Sequence, residues 1–194
     1  MAAALTARMT DATHWSVLDA HPDTPATGPA MITTEARLSA PAVLVCDYVL
    51  HADTSRVRLP VGHGGERQDG LWRHTCFEAF IGVPGLAGYY EFNFSPAFDW
   101  AAYYFADYRH GMAPALLVQA PSLAVHSSPT RLELSARVEL AGLPELIGAS
   151  HLKLALAAVI EEQDGTLSYW ALQHAPGKPD FHHPDAFALE LHAP

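Results

Sequence analysis

The stretch TRLELSARVEL, residues 130–140, sets Leu132, Leu134, Ala136, Val138 and Leu140 in strict alternation with Arg131, Glu133, Ser135, Arg137 and Glu139. A period of two with one apolar and one wet face is the signature of a strand in an antiparallel sheet that lies over a core. Working outward, comparable runs at 43–51, 54–59, 75–82, 88–95, 99–106, 114–126, 151–161, 166–173 and 186–192 predict about ten strands in all. Turn chemistry separates them: Gly62, Gly64 and Gly65, then Asp69-Gly70, Pro84-Gly85, Ser95-Pro96 and Asp164-Gly165, the last predicting a tight hairpin. Helical signal is confined to LPELIGAS at 143–150, enough for one turn. The pattern disfavours an α/β fold and predicts an all-β sandwich or barrel of mostly antiparallel strands.

The chain has 194 residues, 49% hydrophobic and 16% charged. That composition argues against disorder, and the length suits one β domain, since such folds often run to about 200 to 250 residues. No apolar run reaches the roughly 20 residues of a membrane helix. Residues 1–30, rich in Ala, Thr and Pro, read as an N-terminal arm ahead of a single domain over 31–194. With 11 Lys and Arg against 21 Asp and Glu, the formal charge is −10, which argues against nucleic acid and anionic membrane as partners. Cys46 and Cys76 lie in apolar runs and read as buried free thiols. The N-terminus lacks the basic and apolar segments of an export signal, so a cytoplasmic location is expected.

Most aromatic residues fall in LWRHTCFEAFIGVPGLAGYYEFNFSPAFDWAAYYFADYRHGM, residues 71–112. Phe77, Ala79 and Ile81, with Tyr90, Phe92 and Phe94, alternate as core faces of two strands. The opposite faces carry Cys76, Glu78 and Phe80 on one strand and Tyr89, Glu91, Asn93 and Ser95 on the other. If the strands are neighbours, Glu78, Glu91 and Asn93 share a polar surface able to hydrogen-bond a polyhydroxyl ligand. Trp72 and Trp100 flank these strands and offer either stacking platforms or core caps, with Arg73 alongside as a donor. A second segment, SYWALQHAPGKPDFHHPDAF at 168–187, places Trp170 and His174 before a loop carrying Lys178, Asp180, His182 and His183. Such loops often hold functional groups. Here Lys178, Asp180 and His182 are expected to close a site, and His174, His182 and His183 with Asp180 form a possible zinc set of irregular spacing.

No GxSxG elbow, HExxH helix, phosphate loop or GxGxxG fingerprint occurs. Glu78 and Glu91 can also be drawn as an acid and base pair, an enzymatic alternative in the same cavity.

In order, DGLWRHTCFEAFI, YYEFNFSP, DWAAYYFADYR and DGTLSYWALQHAPGKPDFHHPDAFALEL resemble the bacterial DOMON-like group related to family 9 carbohydrate-binding modules, over roughly 40–192. The resemblance implies an immunoglobulin-like or jelly-roll sandwich that binds a small ligand, commonly a sugar between aromatic rings, without catalysis. It requires no cofactor but implies calcium as an optional structural ion. It also implies a haem alternative through axial Met and His, for which Met112 is the methionine near the aromatic block. The expected function is thus recognition of a saccharide by Trp72, Arg73, Glu78, Glu91, Asn93, Trp100, Trp170, His174, Lys178, Asp180 and His182. A partner-binding protein with all its tryptophans in the core is the remaining alternative.

Overall fold

In the computed structural model, which describes residues 15–28, 30–39 and 42–192, the alternating stretch forms β9 (Arg131–Glu139). Leu132, Leu134, Ala136 and Val138 are buried, and the alternate positions face outward. β9 pairs antiparallel with β3 (Val43–Ala52) and β8 (Ser122–Ser128), and β3 pairs with β2 (Ala30–Ser39). The other half of the fold is built from β4 (Cys76–Gly82), β5 (Tyr89–Phe94), β6 (Trp100–Phe105) and β7 (Ala113–Pro114), joined to β10 (His151–Glu161) and β11 (Leu167–Ala171).

Among the described residues the strands number twelve rather than about ten, and they form one continuous sheet. The join is β1 (Ser16–Ala20), whose first residues pair with β2 and whose last pair with β11. The order is β7-β6-β5-β4-β10-β11-β1-β2-β3-β9-β8, with β12 (Leu189–His192) beside the first half of β10. The sheet curls until its halves face each other across a shared core. Tyr48 of β3 packs on Phe77 of β4 with ring centroids 5.0 Å apart, and its hydroxyl donates to the Glu78 carbonyl at 2.8 Å.

Several sequence expectations need correction. Residues 16–20 are a paired strand and not part of an arm, because their backbone groups complete the ladder between β2 and β11; residues 1–14 lie outside the described residues. β2 was not among the expected runs, since Thr33, Thr34 and Glu35 blur its alternation. The run at 54–59 is a 3-10 turn at Thr54–Arg56, started by Asp53 accepting from the Ser55 N–H at 3.1 Å. The run at 114–126 divides into β7 and β8 around Pro121, which has no N–H for a ladder. The Asp164-Gly165 hairpin does form between β10 and β11, with Gly165 at a φ of 88°. LPELIGAS contributes one 3-10 turn at Pro144–Leu146.

β4 and β5 are buried on both faces. Phe77, Ala79, Ile81, Tyr90, Phe92 and Phe94 enter the main core, as their alternation requires. Their outer faces form a second apolar cluster with β6, β10 and β11, covered by the segment between β11 and β12. A polar site with rigid walls lies under that cover.

Candidate functional site

Strand register brings the polar residues together. β4 pairs with β5 so that Glu78 lies opposite Asn93 and Phe80 opposite Glu91. In the same transverse rows, Asn93 meets Ala101, Glu78 meets Ala157, and Ala157 meets Ala171. These small side chains keep the sheet surface low around the carboxyl groups. Phe105, Val159 and Tyr169 line the resulting cleft of about 330 Å³, together with Trp72, Met112, Pro179 and Phe181. Glu78, Glu91, Arg109 and His182 supply its polar lining.

Glu78 is only 3% exposed, and its Oε1 has no hydrogen-bond partner among the described residues. Burial, reinforced by the neighbouring Glu91 charge, pushes its pKa well above the usual carboxylate range. Glu91 is 5% exposed, and burial raises its pKa to about 7 against the opposing influence of Asn93 and Arg109. Asn93 Nδ2 donates to Glu91 Oε1 at 2.6 Å, while Asn93 Oδ1 accepts from the Cys76 thiol at 3.6 Å. That second contact fixes which end of the amide faces the carboxylate. Cys46 and Cys76 are both free and buried.

The cover is tied down by charge. Asp180 Oδ1 accepts from Arg109 Nε at 3.0 Å and from a second guanidinium nitrogen at 2.7 Å, and Tyr108 donates to the other oxygen. Burial raises the Asp180 pKa, but these donors outweigh it and hold the carboxyl below its ordinary value. Arg109 sits in the turn after β6 with a φ of 51°. Its backbone N–H donates to the Tyr89 hydroxyl at 3.3 Å, leaving that hydroxyl's proton for His182 Nδ1 at 2.8 Å. The proton of neutral His182 is then on Nε2, which stands 3.7 Å from Glu91 Oε2. Burial and the Arg109 charge lower the His182 pKa to about 4.

Trp72 comes from a 3-10 turn at Leu71–Arg73 and packs edge-on against Tyr103, with ring centroids 5.7 Å apart. Tyr103 in turn donates to Asp69 Oδ1 at 2.5 Å. The wall is therefore anchored to β6 both within the turn and just ahead of it.

The fold is shared with carbohydrate-binding proteins. A "putative carbohydrate-binding protein" from Bacteroides uniformis matches with a TM-score of 0.67 and 16% identity, over 93% of this chain and 86% of that one. A family 9 carbohydrate-binding module from Caldicellulosiruptor kristjanssonii, in complex with cellotriose, matches with a TM-score of 0.58 and 10% identity, over 93% of this chain and 82% of that one. A family 9 module from the same organism, in complex with glucose, matches with a TM-score of 0.54 and 11% identity, over 93% of this chain and 83% of that one. No protein-family model matches the sequence, and no curated protein does so.

Of the residues expected to form a site, Trp72, Glu78, Glu91 and His182 line the cleft. Asn93 and Asp180 support them from behind. Trp100 and Trp170 do not belong to it: both pack against the main core, and Trp170 Nε1 donates to Ser168 at 2.9 Å. On β6 both faces are apolar or aromatic, and on β11 Ser168 shares the face of Trp170 while Leu167, Tyr169 and Ala171 share the other, so polarity does not mark which face points into the main core. His174 Nε2 contacts the Asp19 carbonyl at 2.8 Å, and its ring meets His21 edge-on, away from the cleft lining. Arg73 and Lys178 are exposed, and Asp180 pairs with Arg109 instead of Lys178.

The expected zinc set does not converge, since His174 is held by β1, His182 by Tyr89, and His183 accepts from the Asp185 N–H at 3.2 Å. Met112 and His182 do line one cleft, but Nδ1 accepting from Tyr89 leaves the ring proton on Nε2, so neither nitrogen offers a free lone pair, which does not fit an axial haem ligand. Calcium takes about six to eight oxygen ligands. Among the described residues no three carboxylates converge to begin such a set. Arg109, Tyr89, Phe105, Tyr169 and Phe181 were missed as site residues. A cation inside the aromatic block of an acidic chain was the available signal for Arg109.

Proposed function

We propose that this protein is a non-catalytic, DOMON-like carbohydrate-binding domain of the cytoplasm, which holds one or two sugar units in the cleft over β4, β5 and β10. The observation that carries the reading is Glu78 Oε1, a buried oxygen without a hydrogen-bond partner among the described residues, at a cleft walled by aromatic rings. Leaving such a group unsatisfied costs about 1–3 kcal/mol, which a ligand hydroxyl can offset. Trp72 on one side and Tyr169 and Phe181 on the other supply flat apolar faces for a pyranose ring. The fold shared with sugar-binding modules agrees with this reading.

Calorimetric titration with neutral mono- and disaccharides and amino sugars tests it. One class should bind with a stoichiometry of one, and Glu78→Ala or Trp72→Ala should weaken it at least tenfold while leaving the far-UV spectrum unchanged. No heat from any sugar at millimolar concentration, or unchanged affinity in both variants, removes the proposal.

A second reading, a carboxylate-based glycoside hydrolase, is favoured by one observation: Glu91 is poised near pH 7 beside a second carboxyl group. Turnover of aryl glycosides that disappears in Glu91→Gln would replace the binding reading with this one.

A further inference from the structure

A cluster of two histidines and a glutamate lies on the outer surface where β12 joins β10. These strands pair with His151 directly opposite His192 and Lys153 opposite Glu190. Leu152, Leu154, Leu189 and Leu191 of the same strands turn toward the core, so His151, His192 and Glu190 share the opposite face. The imidazole rings lie nearly parallel, 14° apart in plane with centroids separated by 4.7 Å. One ligand atom from each of the three side chains falls within 4.8 Å of the others. His151 Nε2 is enclosed by protein, makes no hydrogen bond with the described residues, and stands 3.2 Å from Glu190 Oε2. Lys153, the adjacent cation, is drawn elsewhere: its ammonium lies over the Phe187 ring and donates to the Leu86 carbonyl at 3.3 Å.

We propose that His151, Glu190 and His192 form a transition-metal site. Two imidazoles and one carboxylate suit zinc, nickel or copper and not the hard ions calcium and magnesium, and three protein ligands leave a fourth position for water. A metal here ties β12 to β10. Because β12 follows the segment that carries Asp180, Phe181 and His182, the same ion anchors one end of the cover over the cleft. The proposal is independent of what the cleft binds.

The test is titration of chelator-treated full-length protein with Co²⁺, followed by displacement with Zn²⁺. One equivalent of Co²⁺ should bind with visible absorption of a low-coordinate complex, Zn²⁺ should remove that spectrum, and Zn²⁺ should slow amide exchange in residues 189–192. His192→Ala and His151→Ala should each weaken Zn²⁺ at least tenfold, whereas His126→Ala, at an exposed histidine on β8, should leave binding unchanged. No binding below about 1 mM in the wild type, or equal affinity in the His151 and His192 variants, overturns the site.

Discussion

His182 Nδ1 accepts a hydrogen bond from the Tyr89 hydroxyl at 2.8 Å, joining the cover segment to the floor of the cleft. The hydroxyl is free to donate because the Arg109 N–H occupies its acceptor side. The bond and the burial of the ring favour a neutral imidazole.

His182 should therefore remain neutral throughout the physiological range. Nitrogen-15 NMR should find it protonated on Nε2, with no titration until the pH approaches its value of about 4. A midpoint near 6.5 would mean that the ring is exposed. In Tyr89→Phe the loss of one partly buried hydrogen bond should cost about 1 kcal/mol of stability.

The paired carboxyl groups should set a pH dependence of stability. Glu91 has a folded pKa of about 7 against an ordinary 4.5, so the folded state holds its proton more tightly. Stability is then greatest below the unfolded value and falls as the pH rises toward and through 7. The difference corresponds to about 3 kcal/mol at alkaline pH, taking about 1.4 kcal/mol for a pKa difference of one. Glu78 acts with the same sign. Glu91→Gln should accordingly raise the melting midpoint at pH 8.5 and leave it nearly unchanged at pH 4.5. Equal shifts at both values would show that the carboxyl is not buried in its ionised form.

Asp180 and Arg109 should govern the cover with little effect on the fold. Because the Asp180 pKa is lowered, its contribution is present above the unfolded carboxylate value and lost as the pH falls through the folded one. The pair is partly exposed, so screening limits Asp180→Asn or Arg109→Lys to about 1 kcal/mol. Lysine cannot reproduce the two-nitrogen contact on Oδ1. Both variants should increase amide exchange over residues 179–183 and weaken sugar binding several-fold in the same titration.

The tryptophans should separate by role. Trp170→Ala should lower stability by about 3–5 kcal/mol through a core cavity, whereas Trp72→Ala should cost much less and act on ligand affinity. Urea unfolding of the two variants checks the distinction; equal losses would place Trp72 in the core as well.

Local pattern in the residues is enough to make the chain all-β, because one strongly alternating strand and a succession of turn residues report local geometry. It also determined that Glu78, Glu91 and Asn93 oppose Phe77, Ala79, Phe92 and Phe94, since side chains two apart must share a face whatever the strand pairs with. Packing of the whole chain, and not local pattern, makes these strands neighbours in a register that clusters the carboxyl groups. The same packing turns Trp100 and Trp170 toward the core, although neither strand has a polar face opposite an apolar one to announce it, and lets β1 join the two halves by pairing with both β2 and β11. Asp180 reaching Arg109 across 71 residues, and His192 meeting His151, belong to the same class. Alternation is a property of neighbouring residues along one strand, but a pocket is made by residues distant in sequence. Their meeting depends on pairing and burial across the whole chain.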